Sequence, residues 1–89
     1  MACVKRLLLD VLKPHTPNSL ELAQAVADIG ADYRVNLKVN EVDEETQTIR
    51  LEVFADAIDF TAVEEAISRM GGALHSIDEV EVEGGNAAH

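Results

Sequence analysis

Two stretches of this chain alternate strictly between apolar and polar side chains, with a short acidic segment between them. In residues 33–42 (YRVNLKVNEV), Val35, Leu37 and Val39 share one side, and Arg34, Asn36, Lys38 and Asn40 the other. In residues 47–54 (QTIRLEVF), Ile49, Leu51 and Val53 oppose Thr48, Arg50 and Glu52. A period of two marks a strand with one buried face, and two such strands around Asp43–Thr46 make a β-hairpin. The remaining elements must cover that hairpin's apolar side.

Residues 3–13 (CVKRLLLDVLK) read as a further strand. Leu7, Leu9 and Val11 line one face, while Val4, Arg6, Leu8, Asp10 and Leu12 line the other. A strand apolar on one side and half-apolar on the other suits the centre of a sheet. Pro14 and Pro17 end it, because proline has no N–H for the ladder. Residues 17–29 read as a helix, capped by Thr16 or Asn18, with Leu22, Val26 and Ile29 as its buried stripe and Gly30 as its stop. Residues 59–70 read as a second helix. Asp59 is its cap, Phe60, Val63, Ile67 and Met70 form its stripe, and Gly71-Gly72 ends it. Residues 73–82 read as a last strand. Leu74, Ile77, Val80 and Val82 do not share one parity, which calls for a bulge near Ile77–Asp78.

The order is β-α-β-β-α-β. Right-handed crossovers interleave the two βαβ halves and give the α+β, ferredoxin-like sandwich: an antiparallel sheet of order 4-1-3-2 with both helices on one face. At 89 residues the chain has room for one domain, residues 1–82, followed by a flexible tail, 83–89.

Seven Lys+Arg against seventeen Asp+Glu give a net charge of −10. That balance argues against nucleic-acid binding, which needs a basic face. One Tyr, two Phe and no Trp leave no stacking platform. Asp10 interrupts the apolar stretch Leu7–Leu9, so neither a signal peptide nor a membrane span is expected, and the reading is a soluble, cytoplasmic protein. The single cysteine, Cys3, excludes an internal disulfide.

Three features bear on function. The first is the sheet face that no helix covers. Val4, Arg6, Leu8, Asp10 and Leu12 of the central strand, with Lys38 beside them, make it a candidate surface for homo-oligomerisation or ligand binding. The second is a pair of histidines, His15 and His75, that this topology brings towards one end of the sheet, where with Asp10 or Asp78 they could hold a transition metal. The third is the acid clusters Asp43-Glu44-Glu45 and Asp78-Glu79, whose carboxylates are the ligand type that Ca²⁺ or Mg²⁺ takes. A run of acids is more often a solvated face, and the hairpin acids lack the spacing of an EF-hand loop. No nucleophile motif, phosphate-binding loop or dinucleotide fingerprint is present, so no catalytic residue is assigned and a non-enzymatic role is expected.

The segments Leu7–Pro17 (LLLDVLKPHTP), Glu41–Thr46 (EVDEET) and Gly71–Val80 (GGALHSIDEV) resemble a family of short, mostly archaeal proteins, domain of unknown function two-eleven. The resemblance runs from about Val4 to Val82. Its motif positions are Asp10, Lys13, Pro14, His15, His75, Ser76, Ile77 and Asp78. The Gly30–Tyr33 turn and the Ala-rich tail depart from it. The resemblance implies a ferredoxin-like fold related in shape to small-molecule-sensing ACT domains, and assembly into closed rings. It carries over neither an activity nor a cofactor. The expected partner is therefore a further copy of the chain, with a small-molecule ligand as a second possibility. A sensor of ACT-like shape and a metal-dependent hydrolase using His15, His75 and Asp10 stand as alternative functions.

Overall fold

A computed structural model describes residues 2–85. The elements follow in the order β1 (Cys3–Pro14), α1 (Ser19–Ala27), β2 (Arg34–Val42), β3 (Thr46–Phe54), α2 (Phe60–Arg69) and β4 (Ala73–Glu83). The four strands form one sheet in the order β2-β3-β1-β4, with every neighbouring pair antiparallel. This is the ferredoxin-like order expected from the sequence, read from its other edge. Tail residues 86–89 lie outside the described residues, and Glu83 belongs to β4.

Local chemistry sets the ends of the helices. The Asn18 side chain accepts from the Glu21 N–H at 2.8 Å, and the Glu21 carboxylate accepts from the Asn18 N–H at 3.2 Å. This reciprocal pair satisfies two donors that α1 would otherwise leave open. Pro17 therefore precedes the cap and is not in the first turn. Asp59 caps α2 by accepting from the Ala62 N–H at 3.1 Å. The two stops differ from one another. Helix α1 ends at Ala27 with Asp28 as its cap, and Gly30 does not take a left-handed conformation. Helix α2 ends through Gly71 at φ +79°, the region that L side chains avoid. A Cβ on the next residue, Gly72, would stand 3.0 Å from Ile67 Cγ2 and 3.3 Å from Val11 Cγ1, so the chain passes α2 and β1 too closely for a side chain.

The core lies between the sheet and the helices. Leu7, Leu9 and Val11 of β1 and Ile49, Leu51 and Val53 of β3 meet Leu22 and Val26 of α1 and Val63, Ala66 and Ile67 of α2. These are the apolar phases of the alternation and of the two helical stripes. In β4 the parity break has the expected cause. The register against β1 passes from Leu8↔Glu79 to Leu9↔Ile77, leaving Asp78 as an extra residue, and a second shift leaves out His75. The bulges let Leu74, Ile77 and Val80 share the helix-facing side. A third shift, at Lys5, corrects the sequence reading of Val4. The extra residue turns Val4 away from the open face, and it packs against the core opposite Val82.

The helices are shorter than the strands they cover. Ten residues of α2 span about 15 Å, whereas eleven residues of β4 span about 36 Å. The far half of β4 therefore has no cover: Ile77, Val80 and Val82 are 48%, 56% and 51% exposed. Replacing Leu51, fully buried at the sheet centre, by Ala is expected to cost about 2–5 kcal/mol of unfolding free energy, and Leu12→Ala on the open face only a small part of that. Urea titration of both variants, followed by circular dichroism, measures the contrast.

Candidate functional site

The sheet face opposite the helices carries a network of charges rather than an apolar patch. Arg6 is at its centre. Its Nε donates to Glu52 Oε2 at 2.6 Å, with Nη2 also 2.6 Å from that oxygen, and its Nη1 donates to Glu79 Oε1 at 2.7 Å. Arg6 thus ties β1 to β3 on one side and to β4 on the other. The Arg6 hydrogen bond, with help from Asn36, holds the Glu52 carboxyl below its ordinary value of 4.5. Both hydrogen bonds likewise hold the guanidinium charged beyond its ordinary range, the Glu79 bond contributing more than the Glu52 bond. On the next row, Arg50 approaches Asp78 at 3.6 Å, and Ser76 Oγ donates to the other Asp78 oxygen at 2.7 Å. Asp78 can reach Arg50 because the bulge carries it out of the normal pleat.

Above these rows is a small cavity of about 210 Å³, lined among others by Asp10, Leu12, Thr48, Ala73 and His75. His75 Nδ1 and Asp10 Oδ2 stand 3.3 Å apart at its rim. An imidazole beside a carboxylate over an apolar floor can orient a ligand of a few heavy atoms. The cavity is smaller than the roughly 300–1,000 Å³ of drug-sized sites.

The other histidine is elsewhere. His15 Nε2 lies 2.7 Å from the Asp43 backbone oxygen and ties the turn after β1 to the tip of the β2–β3 hairpin. Asp10 and Pro14, beside which the two imidazoles stand, are separated by four residues of strand, about 13 Å. His15, His75 and Asp10 therefore do not converge on one ion. Among the described residues no three His, Cys, Asp or Glu side chains form a group that could hold a metal. Glu44 and Glu45 are exposed at the hairpin tip, whereas Asp78 and Glu79 are held by Arg50 and Arg6. The two acid clusters lie on different elements and remain separate. Of the open-face residues singled out from the sequence, Arg6, Asp10 and Leu8 lie half-buried in this surface, and Leu12 and Lys38 are exposed on it.

Lys13, a motif position of the resemblance, has a burial that the sequence analysis did not anticipate. Lys13 is 1% exposed, on the helix-facing side of β1, and donates from Nζ to the Pro14 carbonyl. Its parity with Leu7, Leu9 and Val11 was the available signal. Burial pushes its ammonium below the usual 10.5, and the nearby charge of Glu21 opposes that in part. Among the described residues no carboxylate lies within ion-pair distance of it.

The family model DUF211, described as "Uncharacterized ArCR", matches residues 5–86. The chain is also similar to the "Uncharacterized protein MJ0319" of Methanocaldococcus jannaschii, 36% identical over 77 residues that cover 86% of this chain and 79% of that one.

Two pH effects follow from these placements. The unfolded chain keeps the Lys13 proton up to about 10.5 while the folded chain releases it earlier, so this group's penalty on stability fades as pH rises towards 10.5. Lys13→Met should be at least as stable as the native chain at neutral pH, and its advantage should shrink in urea titrations at rising alkaline pH. A constant difference would contradict the assignment. At the acid end, the depressed Glu52 contributes stability that is present above its unfolded value and lost as pH falls through its folded one. Arg6→Gln should therefore move the acid-unfolding midpoint, read by circular dichroism, to higher pH.

Proposed function

The chain belongs to the DUF211 family, and we propose that it works without catalysis, as a self-assembling domain whose copies join along the edges of the sheet. The observation that carries this reading is the row Ile77, Val80 and Val82, each about half exposed on a strand whose outer edge has no strand partner among the described residues. An edge strand with an exposed apolar side is a template for another strand, even where, as on β4, charges and bulges moderate it. Here β4 is eleven residues long and contains no proline. Burying the row would remove apolar surface from water at about 25 cal/mol per Å².

A second reading rests on the Asp10–His75 cavity: binding of a small ligand there, as in a regulatory sensor of ACT-like shape. Fold analogy supplies only the class of function, so the cavity carries this reading. The two readings are compatible, because the cavity borders β4 and a neighbouring copy could close it. The third alternative, a hydrolase with a metal on His15, His75 and Asp10, has no converging ligand set among the described residues to support it.

Light scattering of the full chain at several concentrations should give a mass that is a multiple of 9.6 kDa, and Val80→Asp should lower it to one chain without loss of secondary structure. A strict monomer at all concentrations would overturn the assembly reading. For the cavity, thermal melts against a panel of metabolites and cations should show a stabilising ligand whose effect His75→Ala abolishes.

A further inference from the structure

The cavity beside His75 joins a carboxylate that has no cation to walls that are mostly carbon. Resting on the reading of this cavity as a ligand site, we infer that it takes a small organic amine: one ammonium group on a compact hydrocarbon, with no carboxylate of its own.

Side-chain size makes the hydrocarbon part of the site. In the strand register Leu12 stands between Thr48 of β3 and Ala73 of β4, two neighbours too short to fill the space beside it. Leu12 is 44% exposed and is an aliphatic wall of a cavity of about 210 Å³. An apolar cavity of about 150 Å³ in a protein admits benzene, so this one has room for a ligand of about six non-hydrogen atoms.

The charged part is Asp10, at the rim. Arg50 stands opposite it in the β1–β3 register, but the Arg50 guanidinium approaches Asp78 at 3.6 Å. Among the described residues no Lys or Arg nitrogen lies within ion-pair distance of Asp10, and His75 Nδ1, at 3.3 Å, is its close partner. The Asp10 side chain is 23% exposed, so an ammonium arriving there gains a charge-assisted hydrogen bond where water competes less than at an open surface. The β4 bulge supplies His75: the register passes from Asp10↔Ser76 to Val11↔Leu74, and the residue left out stands at the rim. With its Nδ1–H donated to Asp10, a neutral imidazole keeps Nε2 as an acceptor for a second ammonium N–H. Asp10 and Leu12 share one face of β1 about 7 Å apart, so a charge held at the first leaves a short hydrocarbon over the second.

Other ligand classes fit less well. A bare metal ion needs four or more donors, and among the described residues no third ligand joins Asp10 and His75. A carboxylate would approach Asp10 with Arg50 already occupied, and the net charge of −10 favours cations at this surface. A neutral alcohol of the same shape fills the cavity but leaves the Asp10 charge unmatched.

Saturation-transfer NMR titrations of the full chain with isoamylamine, isoamyl alcohol and leucine test the inference, because the three share one branched hydrocarbon and differ in their head groups. Isoamylamine should bind at least about tenfold more tightly than the alcohol, as a hydrogen bond to a charged group predicts, and leucine no more tightly than the alcohol. Asp10→Asn, checked by circular dichroism, should remove the amine's advantage and leave the alcohol unchanged. Glu81→Gln, which deletes one charge from an exposed acid of β4, should change none of the three. The comparison of head groups on the native chain stands whether or not Asp10→Asn folds. Equal affinity for amine and alcohol would overturn the inference in favour of a purely apolar cavity, and tighter binding of leucine in favour of an amino-acid site. An amine advantage that survives Asp10→Asn would also overturn it. If isoamylamine fails to bind while the metabolite panel still yields a ligand sensitive to His75→Ala, the amine is wrong and the cavity reading stands; if both fail, that reading falls as well.

Discussion

The mismatch in length between the helices and the sheet governs this small protein. Helices of nine and ten residues cover only part of strands that run to eleven and twelve. Within the covered area Leu9, Val11, Leu22, Ile49 and Leu51 are fully buried. Outside it, the same alternation that builds the core leaves apolar residues in water. The exposed row of β4 is thus a geometric consequence of a helix only ten residues long.

The open face solves a different problem. A sheet with helices on one side only must keep its other side soluble, and here it does so with crossed ion pairs. Exposed pairs contribute little one by one, and their value lies in linking strands. Arg6 reaches β3 and β4 at once, and Arg50 joins β3 to β4 across the central strand. The acidity of the chain is therefore not only a solvation device. Glu52, Asp78 and Glu79 are tied into the sheet, whereas Glu44, Glu45 and Glu81 remain in water. The surplus of acid on β4 and the surplus of base on β2 give the two edges unlike character.

Lys13 shows how a charge can be carried inside such a fold. Its stem extends the apolar row of β1, and its ammonium finds the Pro14 carbonyl where the strand ends. The alkyl chain belongs to the core and the head to its boundary, as amphipathic side chains permit. Reading by residue class assigns a lysine to the surface, whereas reading by parity assigns this one to the interior.

The sequence by itself determined the elements, their order and the sheet topology, because periods of two and of three to four are local properties of the chain and connection rules leave few ways to join them. It also determined that β4 needs a bulge, since Ile77 and Val80 cannot share a face without one. Only the tertiary structure decided which charges meet. Sequence reading allows His15, His75 and Asp10 to converge, but the positions of the two imidazoles along β1 keep them apart. It likewise puts Val4 on the open face, where the irregularity at Lys5 turns it inward. Side-chain partners across a sheet depend on register, and one extra residue changes which side chains face each other, so they follow from the paired strands and not from any single strand's sequence.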